Sequence, residues 1–307
     1  VIQAESIFDI DEIILQNNLE NINEINSQTL SNEFLKILSN PTTEINDDDV
    51  NKTYFIIKKL YEMGEIRKSY NLIKETNSAI ATDTKNLNYF KTIELNYLLS
   101  TYKLSEVCEL KSQLLDESIV LPNFLLEKTD IFCLTIENKL SEAKLLNSLL
   151  LDKEKVPDLF FQQLLDYTFL ENKEELVFES INSLQSKDLI FLYSAMLRIN
   201  ELPLTEKFIE IDPLNLSIPV ILSDSTEMKT RIKAVNKSFN ENIVTIDILS
   251  ALYQSVDFNS QQFNDPKQTI QSFNQDNELT MAFYYQLANR QIFPEDRLRV
   301  IIEYWDF

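Results

Sequence analysis

The two cysteines, Cys108 and Cys133, are the residues of this chain best suited to form a specific covalent link. Helical spacing places Cys108 on the second helix of one predicted pair and Cys133 on the first helix of the next. Such helices are antiparallel neighbours, so a disulfide is geometrically possible. Two buried free thiols, packed as small hydrophobic side chains, fit the same pattern. A zinc site does not, because two cysteines without histidine cannot supply the usual four ligands.

Histidine is absent from the 307 residues, and glycine occurs once, at Gly64. The missing histidine removes the commonest general base and metal ligand. The near-absence of glycine excludes phosphate-binding loops and the dinucleotide-binding motif, which each need several glycines. We therefore predict that the protein is not an enzyme and uses no cofactor or metal ion.

Carboxylates are frequent, but they occur as runs without a ligand pattern. None of the runs has the spacing, central glycine and terminal glutamate of a calcium-binding loop. Acidic residues in the first turn stabilise a helix, so we interpret the runs as helix starts and solvated faces. Two carboxylates brought together in a cleft would still be able to perform glycosidase-type acid and base chemistry. The runs are Asp9, Asp11 and Glu12; Asp47, Asp48 and Asp49; and Glu171, Glu174 and Glu175.

The net charge of the chain is strongly negative. Its 28 lysines and arginines are outnumbered by 49 aspartates and glutamates, which gives a formal net charge of −21. This charge disfavours nucleic acids and anionic membrane surfaces, whose binding depends on cationic faces. No apolar stretch approaches the ~18 residues of a membrane span, so no membrane insertion is expected. The predicted partner is a neutral or basic protein or peptide.

The clearest helical pattern surrounds the single glycine. Tyr54, Leu60 and Tyr61 fall on one face of a helix, and a second amphipathic helix begins at Ile66, directly after Gly64. This succession of helix, glycine turn and helix looks like the middle of a tetratricopeptide repeat.

Three further helix pairs follow, with turns near residues 101, 138 and 172. The spacing of roughly 34–37 residues lies within the range of helix-pair repeats. We therefore predict an all-α protein, an α-solenoid of antiparallel helix pairs that forms a tetratricopeptide-like superhelix. A generic helical bundle with coincidental spacing is the alternative. The predicted pairs are 86–100 with 105–115, 122–137 with 141–151, and 157–170 with 174–184.

The chain divides into three parts by pattern. Residues 1–27 form an acidic N-terminal arm, 28–186 contain the helix-pair repeats, and 187–307 are a less regular helical continuation of the same superhelix. A loop with short helical pieces is expected at 257–273. Because the chain begins at Val1 and its last helix extends to Phe307, we expect it to be a processed or excised part of a longer protein.

Several segments of the chain resemble a family of uncharacterised bacterial secreted helical proteins. In that family a cysteine in one helix and a Phe-Cys pair in the next recur, and Cys108 and Cys133 match these positions. The resemblance implies an exported protein with tetratricopeptide-like helices, no assigned activity and a Cys108–Cys133 disulfide. The chain departs from the family at most turns, where asparagine or lysine replaces glycine. The segments are SEVCELKSQLL, DIFCLTIENKLSEAKLLNSLL, DLFFQQLLDYTFL and TRIKAVNKSFNENIVTIDILSALYQSVDF.

Three functions are compatible with these observations. The first is a non-enzymatic scaffold, periplasmic or otherwise secreted, that binds a protein or peptide through a concave face lined by some of its aromatic residues. A cytoplasmic location is the alternative. The second is a helical accessory region of a cell-wall glycan-cleaving enzyme, since the chain is faintly similar to the ring-shaped region of soluble lytic transglycosylases. The third is a structural subunit of an envelope assembly that docks through Ile301, Tyr304 and Trp305.

Overall fold

The computed structural model describes residues 7–22, 25, 27–39, 49–76, 86–169, 176–177, 181, 183–273 and 277–305. Within these ranges the chain forms 18 α-helices and two short 3₁₀-helices, with no strand. The predicted all-α class is confirmed. None of the described helices combines the length and the apolar character that a membrane crossing requires.

The helices are numbered in chain order. The α-helices are α1 Glu12–Asn21, α2 Gln28–Ser39, α3 Val50–Glu62, α4 Ile66–Glu75, α5 Leu87–Ser100, α6 Leu104–Asp116, α7 Leu125–Ile136, α8 Leu140–Lys153, α9 Leu159–Thr168, α10 Ser183–Ile199, α11 Glu206–Ile211, α12 Ser217–Ile221, α13 Met228–Asn240, α14 Ile246–Ser255, α15 Ser260–Asn264, α16 Pro266–Ser272, α17 Asn277–Arg290 and α18 Pro294–Trp305. The 3₁₀-helices are Ile7–Asp9 and Pro122–Phe124.

One predicted helix is wrong. Residues 174–184 were expected to complete the fourth pair, but Leu176 and Val177 lie outside any helix and Ile181 lies in a bend. Helix α10 begins at Ser183 and runs through the boundary that the sequence suggested near residue 186. The Ile181 side chain is buried although this residue lies in a bend, and many apolar side chains of α10, such as Leu189 and Phe191, are buried as well. The turn expected near residue 172 lies outside the described residues.

Among the described helices six end in the same turn, although the chain has one glycine. At each end a residue with positive φ donates its backbone N–H to the carbonyl three residues back, and the next residue donates to the carbonyl five residues back. This is the Schellman motif, which satisfies the last carbonyls of a helix. The positive-φ residues are Gly64, Tyr102, Ser118, Asn138, Glu201 and Asn242.

Consecutive helices pack against each other from α3 to α8. Their cores are filled by the periodic apolar residues, and α1 and α2 cover α3 at the N-terminal end. A disulfide joins Cys108 on α6 to Cys133 on α7, with the two Cα atoms 5.6 Å apart. It links the second helix of one pair to the first helix of the next.

The chain after residue 183 folds back onto these pairs. Helix α10 contacts α5 and α7, which are the first helices of two successive pairs. Farther along, Asn215 Nδ2 donates to the Tyr61 backbone oxygen at 3.1 Å. We call residues 183–222 the return segment. A stack in which each repeat contacts only its neighbours would have no such contacts.

A buried ionic network ties the helix pairs to the return segment. Lys128 of α7 lies 2.9 Å from the Glu154 carboxylate and 2.7 Å from the Asp158 carboxylate. Tyr193 of α10 donates its hydroxyl to Asp158 at 2.5 Å. Asp158 also caps α9 by accepting the Phe161 backbone N–H. Each carboxylate therefore has a cationic or hydroxyl partner, as buried charges require.

Candidate functional site

A cavity of about 700 Å³ lies between the helix pairs and the return segment. Its walls come from α3, α5, the start of α10 and the turn between α11 and α12. Asn88 and Lys187, which are both exposed, form part of the lining, so the cavity reaches the protein surface. We call it the return cavity.

Three tyrosines line the return cavity. Tyr54 and Tyr61 are two helical turns apart on α3 and therefore share a face. Tyr89 of α5 meets Tyr54 edge to face, with ring centroids 5.4 Å apart. Burial raises the pKa values of Tyr61 and Tyr89, and the Asp212 charge adds to the effect at Tyr61. Both phenols therefore stay protonated and offer neutral ring faces and hydroxyl groups.

Three carboxylates and one ammonium group lie in the same lining. Asp188 accepts a hydrogen bond from Asn123 Nδ2 at 2.7 Å, and Asp212 accepts the Asn215 backbone N–H at 3.0 Å. Burial raises the pKa of both aspartates above the usual range. Glu62 is exposed, and Lys187 is the one cation of the lining. The cavity is therefore acidic, and burial removes part of the solvation that would stabilise the charges of its two aspartates.

Two asparagine side chains of the lining have unsatisfied oxygens. Asn96 and Asn215 are 1% and 5% exposed, and the Oδ1 atom of each is buried without a hydrogen-bond partner. Their amide nitrogens are engaged: Asn96 Nδ2 donates to the Tyr61 hydroxyl at 3.3 Å, and Asn215 Nδ2 donates to Asp212 at 3.1 Å. An unsatisfied buried acceptor costs about 1–3 kcal/mol, so these two oxygens lower the stability of the folded chain at this place.

The sequence predicted a concave face as the peptide site, and a helix of the chain itself packs on two of the first helices. Helix α10 packs against α5 and α7, so residues of the chain itself occupy much of the surface that the first helices of these pairs would present. The return cavity is the part of this surface that remains accessible beside α3 and α5.

Two of the three C-terminal docking residues line one groove beside α18. Ile301 and Tyr304 are half-buried and line a groove of about 260 Å³ against α17, where the Tyr304 and Tyr284 rings are 5.4 Å apart. Trp305 ends the helix, and its side chain lies outside the described part of the chain. Leu298 and Ile302, one turn apart, are the exposed apolar residues of this helix.

Comparisons with known proteins give no match: no family model, no curated protein and no solved structure matches the chain.

Sequence reasoning found only part of the return cavity. Tyr54 and Tyr61 were recognised as members of an apolar helix face, and their spacing was the signal. Asp212 and Asn215 were missed because they belong to a short irregular turn without periodicity. Asn96 was missed because a polar residue on a helix carries no sign of its burial. Asn215 reaches the cavity through its hydrogen bond to Tyr61, which lies 154 residues earlier in the chain.

Proposed function

We propose that this chain is a non-enzymatic helical-repeat scaffold of the bacterial periplasm that binds a neutral or basic protein or peptide. In this proposal helices α3 to α8 are part of a tetratricopeptide-like α-solenoid. Their sequential packing and the repetition of one turn geometry at residues 64, 102 and 138 support this view.

The return cavity is the observation that carries the proposed binding function. It is large enough for one or two side chains of a partner, and its lining residues combine aromatic rings, carboxylates and amides. Clefts that combine apolar walls with a few convergent polar groups are the usual form of binding sites. Its carboxylates outnumber its single lysine, which favours a basic partner over an acidic one.

The disulfide supports the proposed location. Cys108 and Cys133 are the only cysteines, and bonds of this kind persist in oxidising compartments such as the periplasm. Alkylation of unreduced protein would test the bond, and two reactive thiols would contradict it.

The binding proposal is tested by selecting linear peptides from a random library on the full chain. The selected peptides are then titrated calorimetrically against two variants. Asn88→Trp places an indole at the mouth of the return cavity, whereas Gln113→Trp places the same group on the exposed side of α6. We expect Asn88→Trp to weaken binding by about tenfold or more, and Gln113→Trp to leave it unchanged. Equal binding to both variants, or no enriched peptide, would overturn the proposal.

One observation favours a second function, that of a helical part of a glycan-cleaving enzyme. Asp188 and Asp212 lie in one cavity with three tyrosines and have raised pKa values, as a general acid requires. The glutamate of the lining, Glu62, is exposed rather than enclosed in an apolar pocket. Release of soluble fragments from purified peptidoglycan by the wild-type chain, and its loss in Asp212→Asn, would establish this second function in place of the first.

A further inference from the structure

An apolar groove of about 260 Å³ lies between the last two helices, apart from the return cavity. Its walls extend from Met281 to Asn289 on α17 and from Arg297 to Tyr304 on α18, and Tyr253 of α14 completes them. At 1.5 Å per helical residue these stretches are about 10–12 Å long. We call this site the C-terminal groove. None of its lining residues also lines the return cavity.

The C-terminal groove is walled mainly by aromatic rings and aliphatic side chains. Two of its phenol groups are already engaged: Tyr253 donates its hydroxyl to Asn236 Oδ1 at 2.5 Å, and Tyr285 accepts from Gln254 Nε2 at 3.4 Å. A peptide segment buried here would therefore leave amide groups without hydrogen-bond partners, whereas a hydrocarbon chain has none to satisfy. The remaining apolar lining consists of Met281, Tyr284, Ala288, Val300, Ile301 and Tyr304.

The charged residue of the lining is Arg297, although the chain as a whole is strongly acidic. Its guanidinium donates to the Gln291 backbone oxygen at 3.3 Å, and no described carboxylate forms an ion pair with it. The neighbouring Asp296 is paired with Arg299 instead, at 3.6 Å. A guanidinium without a carboxylate partner, at the edge of an apolar groove, is suited to bind the carboxylate of a ligand.

The two ends of the C-terminal groove differ in charge. Residues 291–293 join α17 to α18, so the helices are antiparallel neighbours and Arg297 lies at the end near this short connection. The other end is acidic. Burial, and to a smaller extent the Glu303 charge, raises the pKa of Tyr284, whose ring lies 5.4 Å from that of Tyr304. An anionic group is therefore favoured at the Arg297 end and disfavoured at the Tyr304 end.

We propose that the C-terminal groove binds a medium-chain carboxylate, with its alkyl chain against the tyrosine rings and its carboxylate at the Arg297 guanidinium. An extended carboxylate of about eight carbons, with C–C bonds of about 1.5 Å, spans the length of the groove. This site goes beyond the protein or peptide binding proposed above and does not depend on the return cavity.

Calorimetric titrations of the full chain would use hexanoate, octanoate, decanoate and octan-1-ol below the concentrations at which they form micelles or separate. Octanoate buries two more methylene groups than hexanoate and should bind about 5–15-fold more tightly. Decanoate should gain less than about threefold over octanoate, because its end projects beyond the groove. Octan-1-ol keeps the chain and loses the charge, so it should bind about threefold to tenfold more weakly than octanoate.

Matched variants at exposed positions test the residues. Arg297→Gln should weaken octanoate binding about threefold to tenfold and leave octan-1-ol binding unchanged. Arg299→Gln is its control, because this arginine lies on the same helix outside the lining, and it should leave both unchanged. Asn289→Trp places an indole in the groove and should weaken octanoate binding about tenfold or more, whereas Gln113→Trp on α6 should have no effect.

The outcomes separate this inference from the proposed function. If octan-1-ol binds as tightly as octanoate, or if Arg297→Gln and Arg299→Gln behave alike, the carboxylate site is wrong. If no carboxylate binds at millimolar concentration, or if Asn289→Trp binds octanoate normally, the inference is overturned. Asn88→Trp obstructs only the return cavity, so it should weaken peptide binding and spare octanoate binding. Loss of octanoate binding in Asn88→Trp alone would place the ligand in the return cavity and also overturn the inference.

Discussion

Gly64 and Asn138 occupy the same position in two helix-pair turns, yet only the first requires glycine. Both have positive φ, and both turns are closed by the same two backbone hydrogen bonds. Asn138 is exposed to solvent. Gly64 is buried, and a Cβ atom there would lie 2.6 Å from Leu214 Cβ and 2.8 Å from Ile243 Cδ1. The local turn therefore tolerates many residues, and the contact with a distant part of the chain selects glycine.

The same contrast separates the helix pairs α3 to α8 from the return segment. The pairs are held by contacts between neighbours along the chain, which periodic apolar residues encode directly. The return segment is held by contacts with residues far earlier in the sequence, such as Arg198 with the Ser100 carbonyl. Variants in the two regions therefore test local and long-range contacts separately.

The largest expected loss comes from the ionic network between the two regions. Lys128→Met leaves the carboxylates of Glu154 and Asp158 buried without their cation, beside the hydroxyl of Tyr193. Removing one member of a buried charge group costs about 3–5 kcal/mol, so the free energy of unfolding should fall by that amount. Urea denaturation followed by circular dichroism measures it. Lys36→Met, which removes an exposed ion pair with Glu33, is the control and should change little. A small loss for Lys128→Met would show that the network contributes little.

The turn at Gly64 should show the next largest effect. Gly64→Ala introduces a left-handed alanine and a steric clash with Leu214, at an expected total of about 2–4 kcal/mol. Asn138→Ala has the backbone strain alone and should cost about 0.5–1 kcal/mol. Thermal denaturation of both variants measures the difference. Equal losses of stability in the two variants would mean that Leu214 of the return segment does not pack against this turn in solution.

Exposed turns should respond in the opposite direction. Ser118, between α6 and α7, has a φ of +57°. This backbone conformation is strained for a residue with a Cβ atom and unstrained for glycine. Ser118→Gly should raise the free energy of unfolding by about 0.5–1 kcal/mol, because no distant residue restricts this exposed turn. Asn138→Gly should give a smaller gain, since asparagine adopts this conformation more easily than serine. A loss of stability in Ser118→Gly would contradict the interpretation.

The sequence predicts the fold better than the site, for a physical reason. Apolar periodicity located most helices, including 86–100 and 141–151 to within two residues at each end, because burial of a helix face is a local signal. It failed at 174–184, where buried residues such as Ile181 lie outside any helix. It also gave no sign that α10 would lie across α5 and α7, because nothing periodic records which distant surface an apolar helix will cover. Asp212 and Asn215 enter the site only through that packing.

The smallest effect concerns the charge of Asp188, at the edge of the return cavity. Burial raises its folded-state pKa above the value of about 3.9 expected in the unfolded chain. Between these two pKa values the folded state binds more protons, so the free energy of unfolding falls as the pH rises through that window. Asp188→Asn keeps an oxygen acceptor for Asn123 and removes the charge. Because Asp188 is half exposed and screened by solvent, the variant should gain less than about 1 kcal/mol at pH 7.

The pH dependence of the stability gain shows whether removal of the Asp188 charge causes it. The difference between Asp188→Asn and the wild type should be near zero around pH 4 and grow toward pH 7, as urea denaturation at several pH values would measure. Asp224→Asn, at a fully exposed position, should show no such trend. A constant difference would contradict the argument. If Asp188→Asn is more stable and also binds the selected library peptides more weakly, the Asp188 carboxylate lowers the stability of the fold while it contributes to binding, as is common for functional residues. The helix pairs would then supply the stability on which the charged cavity depends.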